Sequence, residues 1–115
     1  MIEFPKKPTK KKRKVHAKSI MQRKDGTCYL CKWLHDDWTR HELHEHHVFG
    51  GVANRTLSEQ YGLKVYLCLE HHLMGAEAVH KNKDSMDLVR REGQKAFERN
   101  YPELDFVEVF GKNYL

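Results

Sequence analysis

Two short apolar runs on either side of a glycine-containing loop predict a β-hairpin in the middle of the chain. The first run closes RHELHEHHVF, residues 40–49, and Gly50-Gly51 then permits a sharp turn. The second is LKVYLCL, residues 63–69, which is bounded by Gly62. The intervening GVANRTLSEQYGL has helical character only at residues 57–61. We therefore expect two strands joined by a loop with one helical turn.

A long helix is predicted in DSMDLVRREGQKAFERNYP, residues 84–102. Its apolar residues near helical spacing are Leu88, Val89, Ala96 and Phe97. Asp84 or Ser85 is the expected N-cap, and Asn100 is the expected end because a proline follows two residues later. Gly93 weakens a helix by roughly 1 kcal/mol relative to alanine, which indicates close packing at that position. This helix should pack on the hairpin.

Two further groups of apolar residues are assigned to the scaffold. ELDFVEVFGKNYL, residues 103–115, alternates poorly and predicts a short strand or a turn that packs into the core. Trp33 and Trp38 closely follow the first cysteine pair. We expect these tryptophans to lie in the core or at its rim. The alternative is that they stack on nucleic-acid bases.

Length and composition indicate one small domain. A chain of 115 residues buries a modest core unless metals or disulfides add cross-links. It is 39% hydrophobic and 32% charged, and no apolar run approaches the roughly 18 residues that span a bilayer. The lysine-rich start lacks the apolar region of a secretory signal. We expect a soluble, cytoplasmic protein without a membrane partner, in which cysteines at short spacings bind metal.

The net charge of +5 hides an uneven distribution. Residues 1–24 hold ten Lys or Arg and one acid, a net charge of +9, whereas residues 25–115 have a net charge of −4. The first segment is predicted to be a disordered basic arm, and the second to be the folded domain. The arm is either a solvated extension or, as we favour, a phosphate-binding segment for nucleic acid. Its candidate nucleic-acid-binding residues are Lys10, Lys11, Lys12, Arg13 and Lys14.

All three cysteines fall at spacings typical of a zinc site. CYLC supplies Cys28 and Cys31, and the later CLEH supplies Cys68 and His71 with the same two-residue gap. Structural zinc is bound by four such thiolate and imidazole ligands at tetrahedral corners. Three free thiols are the alternative, and a disulfide framework is disfavoured because three is odd. If zinc binds, much of the stability depends on the metal.

HEHHVFGG, residues 44–51, concentrates further candidate chemistry between the two cysteine pairs. In a strand, alternate side chains share a face. His44 and His46 should therefore point one way, and Glu45 and His47 the other. A purely structural alternative is a histidine-rich second metal site without catalytic turnover.

HEHHVFGG, the strand after it, the Cys68-x-x-His71 pair and the adjacent His72 together resemble the HNH nuclease family in its zinc-knuckle form. The similarity is greatest to small phage and prophage HNH proteins, and it extends from Cys28 to the C-terminal FGKNYL. The resemblance implies an α+β fold with a small ββα-metal core, also called an HNH or His-Me finger. A structural zinc knuckle and a packing C-terminal helix complete that fold.

The resemblance also implies roles for three histidines. His46 would bind a catalytic divalent metal, Mg²⁺ or another ion, and His47 would be the general base that activates water, while His72 would be the next metal ligand. Imidazole suits the base because its unperturbed pKa is about 6.5. A backbone carbonyl or Glu45 could hold the base in the required tautomer.

His80 is the only downstream candidate for a third metal ligand, since Ala76 occupies the position one helical turn after His72. A continuous helix would separate His72 from His80 by about 12 Å, too far to share one ion. A break at Gly75 would bring His80 to the metal. Otherwise His80 is a surface or phosphate-contacting residue.

One position departs from the family pattern. Leu63 stands where the family has the asparagine of its name, and Asn54 in the loop is the substitute available. Two functions remain. One is a metal-dependent HNH-type endonuclease that nicks or cuts DNA, with structural Zn²⁺ and a second divalent ion. The other is a zinc-stabilised module that binds nucleic acid or protein without cleaving.

Overall fold

The computed structural model describes residues 15–115, so the basic residues Lys10 to Lys14 lie outside the described part of the chain. The architecture is α+β, as predicted. The elements in chain order are α1 (Tyr29–His35), β1 (His44–His47), α2 (Val52–Tyr61), β2 (Lys64–Leu67), a π-helix (Glu70–Met74), α3 (Lys83–Asn100) and α4 (Phe106–Phe110). No helix within residues 15–115 is long and apolar enough to cross a membrane.

The two strands form an antiparallel hairpin, which confirms the predicted pair. His46 lies opposite Val65, and His47 lies opposite Lys64. The ladder continues one step further through the backbone, where the Val48 N–H donates to the carbonyl of Leu63 at 3.0 Å. Val48 is fully buried, so the apolar end of the predicted strand anchors the hairpin in the core.

The segment between the strands is more helical than the sequence predicted. The sequence analysis placed one turn at residues 57–61, whereas α2 begins at Val52 and ends at Tyr61. Few apolar residues mark this helix, which explains why the hydrophobic pattern missed it. The buried Ser58 hydroxyl fixes it to the core by donating to the carbonyl of Phe49 and accepting from its N–H. Gly62 ends it with a positive φ of 75°.

The predicted long helix is present as α3 and ends at Asn100, as expected. Its N-cap is Asn82 and not Asp84 or Ser85, because the Asn82 side chain accepts from the backbone N–H of Ser85 at 3.1 Å. Gly93 faces the hairpin, and a Cβ there would lie 3.0 Å from a methyl group of Val48. The expected close packing at Gly93 is thus confirmed.

The C-terminal segment forms helix α4 where a strand or turn was expected. Asp105 caps it by accepting from the N–H of Val107 at 3.0 Å. Phe106 and Phe110 are buried and pack on Phe49, with ring centroids 5.2 and 5.0 Å away. Residues four apart share a face in a helix and in a strand alike, so the spacing of the two phenylalanines did not distinguish the two structures.

Residues 17–22 are part of the packed body. The Ser19 hydroxyl donates to the carbonyl of Lys64 at 2.6 Å, and the Ile20 N–H donates to the carbonyl of Gly62 at 2.9 Å. Residues 17–22 thus lie along β2, although the sequence analysis assigned them to the basic arm. The arm itself, residues 1–14, stays a prediction.

Candidate functional site

The two cysteine pairs meet in a single buried cluster. Cys28 is the N-cap of α1 and Cys31 lies in its first turn, while Cys68 follows β2 and His71 lies in the π-helix. All four side chains are buried. The Cys31 N–H donates to the sulfur of Cys28 at 3.4 Å. The Cys28 side chain therefore stabilises the first turn of α1, which carries both cysteines.

The distances within this cluster match tetrahedral coordination. The sulfurs of Cys31 and Cys68 are 3.8 Å apart, and Nδ1 of His71 lies 3.7, 3.3 and 3.5 Å from the sulfurs of Cys28, Cys31 and Cys68. Sulfurs bound about 2.3 Å from a tetrahedral zinc ion stand about 3.8 Å apart. A disulfide needs sulfurs about 2.05 Å apart, and all three cysteines are free.

The electrostatic environment of the cysteine cluster favours a bound cation. Burial raises the pKa of Cys31 and Cys68, and the adjacent Cys28 raises both further. Three thiolates packed together are therefore unfavourable unless a positive ion compensates their charge, as a bound metal does. The buried Cys3His group can thus hold a metal such as zinc, in agreement with the predicted ligands.

Glu77 supports this cluster and was not predicted. Its Oε1 lies 3.1 Å from Nε2 of His71, the ring nitrogen that faces away from the sulfurs. The same oxygen lies 2.6 Å from Nε2 of His35 in α1. A carboxylate behind a ligand histidine fixes its tautomer and orientation. Only the folding back of the chain after the π-helix brings Glu77 to His71, so spacing along the sequence gave no signal for it.

A second cluster consists of His46, His72 and His80, as the resemblance and the glycine argument predicted. One ring nitrogen from each lies within 4.8 Å of the others. His80 reaches the cluster because Gly75 ends the π-helix in an extended conformation and the Val79 N–H returns to the carbonyl of His71. The π-helix ends at Met74, so the predicted break at Gly75 is present. A side chain at this position would be crowded, because a Cβ would lie 2.7 Å from the backbone oxygen of Glu70.

The chemistry of the second cluster also fits a metal ion. Nε2 of His46 is buried and, among residues 15–115, is the one buried side-chain nitrogen or oxygen without a hydrogen-bond partner. Burial lowers the pKa of His46 to about 3, with His80 and His72 adding to the effect. His46 is thus neutral, with a lone pair available. Three imidazoles suit a transition ion such as Zn²⁺ or Ni²⁺, whereas Mg²⁺ prefers oxygen ligands.

His44 contributes to the second cluster although it was not a predicted site residue. It projects from the same face of β1 as His46, as the strand alternation indicated. Its Nδ1 lies 2.9 Å from Nδ1 of His72, so one ring donates to the other. When Nδ1 of His72 is the donor in this contact, Nε2 of His72 keeps the lone pair that can bind a metal.

His47 lies on the opposite face of β1, and Glu59 in α2 holds it. Oε1 of Glu59 is 2.7 Å from Nε2 of His47, while Oε2 is 3.1 Å from Nζ of Lys64 and 3.0 Å from Nδ1 of His16. Burial raises the pKa of Glu59, but the hydrogen bonds from His47, His16 and Lys64 outweigh it and lower the pKa to about 2. Glu59, and not Glu45, is therefore the carboxylate partner of His47.

Neither Leu63 nor Asn54 forms a hydrogen bond with His47. Leu63 is fully buried in the core. Asn54 donates to the carbonyl of Phe110 at 3.4 Å and so joins α2 to α4. The role of positioning His47 falls to Glu59, one helical turn and a half beyond Asn54.

The two tryptophans lie on the surface. Trp33 and Trp38 are 52% and 62% exposed, and Nζ of Lys32 lies 4.9 Å from the centroid of the Trp38 ring. They are rim residues, one of the two expected placements. Base stacking by these rings stays untested, as does DNA binding by residues 10–14.

Comparison of the chain with protein-family models, with curated proteins and with solved structures finds no match. Any functional conclusion therefore depends on the residues and geometry described above. Those residues comprise a buried Cys3His group, a cluster of three histidines, and His47 with its carboxylate partner.

Proposed function

We propose that this protein is a metal-dependent endonuclease of HNH type that hydrolyses phosphodiester bonds in DNA. The observation that carries the proposal is that His46, His72 and His80 converge on one side of β1. His47, the residue after His46 in the same strand, is oriented by Glu59. A structural metal site alone does not require a second, carboxylate-held histidine beside it.

Glu59 determines which nitrogen of His47 is available for catalysis. Because its pKa is about 2, Glu59 is ionised near neutral pH and can only accept a hydrogen bond. Nε2 of His47 therefore carries the proton, and Nδ1 has the free lone pair. The carboxylate also stabilises the imidazolium that forms when Nδ1 takes a proton, as in a catalytic triad.

The proposed reaction follows from this arrangement. Nδ1 of His47 removes a proton from water, and the water oxygen bonds to phosphorus as the bond from phosphorus to the leaving 3′ oxygen breaks. Solvent supplies the proton for the leaving oxygen. A divalent ion held by His46, His72 and His80 would supply positive charge to the phosphate oxygens.

The Cys3His group serves as scaffold in this proposal. It connects α1 to the end of β2 and to the π-helix, where His71 and His72 are consecutive residues. Bound zinc would thereby fix the backbone that presents His72 to the second cluster. The basic segment at residues 10–14 would add salt-dependent affinity for DNA.

A second candidate function is a zinc-stabilised module that binds nucleic acid without cleaving it. Leu63 favours this alternative, because it fills the family's asparagine position with a buried apolar side chain.

Conversion of supercoiled plasmid to nicked or linear DNA tests the proposal. The wild type is assayed with Zn²⁺, Ni²⁺, Mn²⁺ or Mg²⁺ in turn, beside His47→Ala with its zinc content measured. We expect cleavage by the wild type and none by His47→Ala, with equal zinc in both. If neither protein cleaves with any ion while both retard DNA in a gel, the binding module is correct.

A further inference from the structure

Two cavities flank His47. The first, of about 380 Å³, is lined by the three histidines of the second cluster together with Arg55 and Arg90. The other, of about 530 Å³, lies on the far side of His47 and contains none of those three histidines. Both cavities share His47 and Arg55, so these two side chains form the boundary between them.

One face of α2 lines the second cavity. Val52, Arg55, Thr56 and Glu59 follow the spacing of one helical face, and all four contribute to its wall. Val52 is 93% exposed at the start of this helix. The Glu59 carboxylate is held by His47, His16 and Lys64. Beside it, the wall offers an apolar rim, a cation and a hydroxyl, a mixture suited to a sugar-phosphate chain.

The N-terminal segment forms the opposite wall with Val15 and His16. It is attached to α2 by the Ala17 N–H, which donates to the backbone carbonyl of Glu59 at 3.1 Å, and by the contact of His16 with the Glu59 carboxylate. The carboxylate that orients His47 therefore also holds this wall. Residues 10–14 immediately precede it in the sequence.

Arg55 has its charge available for a ligand. It is exposed, and no arginine among residues 15–115 takes part in a salt bridge. A guanidinium group offers five N–H donors in a geometry that matches a phosphate. Arg55 lines the first cavity together with His46, His72 and His80, and it also lines the second cavity.

We infer that the second cavity is a subsite for the polynucleotide strand adjoining the scissile phosphate, in which Arg55 binds a phosphate and Val15 and His16 form the outer wall. This inference rests on the proposed function for its assignment of the first cavity to cleavage. A strand that occupies both cavities extends on either side of His47, which is the arrangement an endonuclease requires.

Binding of a fluorescein-labelled single-stranded DNA oligonucleotide, measured by anisotropy without added metal, tests the subsite. The variants are Arg55→Gln, which removes the phosphate ligand, and Thr56→Glu, which adds an anion inside the cavity. Their matched controls are Arg91→Gln, an exposed arginine on α3, and Ala53→Glu, an exposed residue of α2 outside the cavity. Melting temperatures check that each variant is folded.

We expect Arg55→Gln and Thr56→Glu each to weaken binding by about tenfold, and each control to change it by less than about twofold, because a hydrogen bond to a charged group outweighs general attraction to one surface charge. The salt slope of log K should fall by about one for Arg55→Gln. The subsite inference is wrong if both cavity variants bind DNA as well as their controls do. It is also wrong if the wild type does not bind DNA.

Hydrolysis separates this inference from the proposed function. If the wild type cleaves neither plasmid nor bis(p-nitrophenyl) phosphate with any divalent ion, while the two cavity variants still lose oligonucleotide binding, the nuclease proposal fails and the cavity stands as a strand-binding site. If the wild type cleaves but Arg55→Gln and Thr56→Glu bind and cleave DNA as their controls do, the nuclease stands and the subsite is wrong.

Discussion

The Cys3His group and the cluster of three histidines differ in how their donor atoms are surrounded. In the first, all four residues are buried, and the distances among sulfurs and nitrogen already match a tetrahedron. In the second, His46 is buried, whereas His80 is exposed and a cavity opens beside the rings. Structural zinc sites are closed, and catalytic sites keep an open position. Under the proposed function, the closed site would provide stability and the open site would provide the chemistry.

Removal of a ligand from the closed site should have the largest effect. Cys68→Ala leaves three ligands in a small core, and zinc-binding free energy in small domains is on the order of 10 kcal/mol. We expect loss of the cooperative thermal transition and loss of bound zinc, observed by circular dichroism and metal analysis. A variant that melts near the wild-type temperature without zinc would contradict the structural role of this site.

His46→Ala should separate the two sites. It removes a ligand from the open cluster and leaves the Cys3His group intact, so the melting temperature of the zinc-loaded protein should change little. Plasmid cleavage should fall by more than about 100-fold, because even outer partners of metal ligands contribute about 10- to 100-fold. Retention of cleavage would remove His46 from the catalytic metal site.

Glu59→Gln tests the orientation of His47. The amide keeps the size of the side chain but loses the charge that stabilises the imidazolium, so we expect cleavage to fall on the order of 100-fold. The comparison variant is Glu45→Gln. Glu45 lies two residues before His47 in β1 but forms no hydrogen bond with it, so this variant should have a smaller effect. Equal losses in the two variants would indicate that general charge, and not the contact with His47, matters.

Glu77→Gln should produce the smallest effect of these variants. It should act on the Cys3His group and not on the cluster of three histidines. Glu77 supports His71 in the way that Glu59 supports His47, so its loss should weaken zinc retention against a chelator by about tenfold. Cleavage at saturating zinc should be unchanged. A loss of cleavage under those conditions would show that the two sites are not separable.

The sequence predicted the residues whose spacing reflects local geometry. Cys28, Cys31, Cys68 and His71 form two pairs with short gaps, and the alternation of β1 separates His46 from His47. The break at Gly75 was predictable once the resemblance implied that His72 and a downstream histidine share one metal, because a continuous helix cannot bring His80 to His72. The cysteine pairs and the strand alternation follow from chain geometry over a few residues.

Long-range contacts were not predictable in the same way. Glu59 and Glu77 contact histidines 12 and 6 residues away, across changes of chain direction that no local pattern specifies. Helix α2 was underestimated because its stabilising contact is the Ser58 hydroxyl, which a hydrophobic pattern does not register. Helix α4 was missed because five residues are too few to establish a period.

The π-helix places His71 and His72 in adjacent positions, one in each cluster. If both clusters bind metal, a single peptide unit joins the two binding equilibria, and an ion that immobilises the first imidazole would lower the entropy lost when the second one binds. The affinities of the two ions would then be linked, and by reciprocity each ion would raise the affinity for the other by the same factor. The closed site would in that case act as the nucleus for loading of the open one.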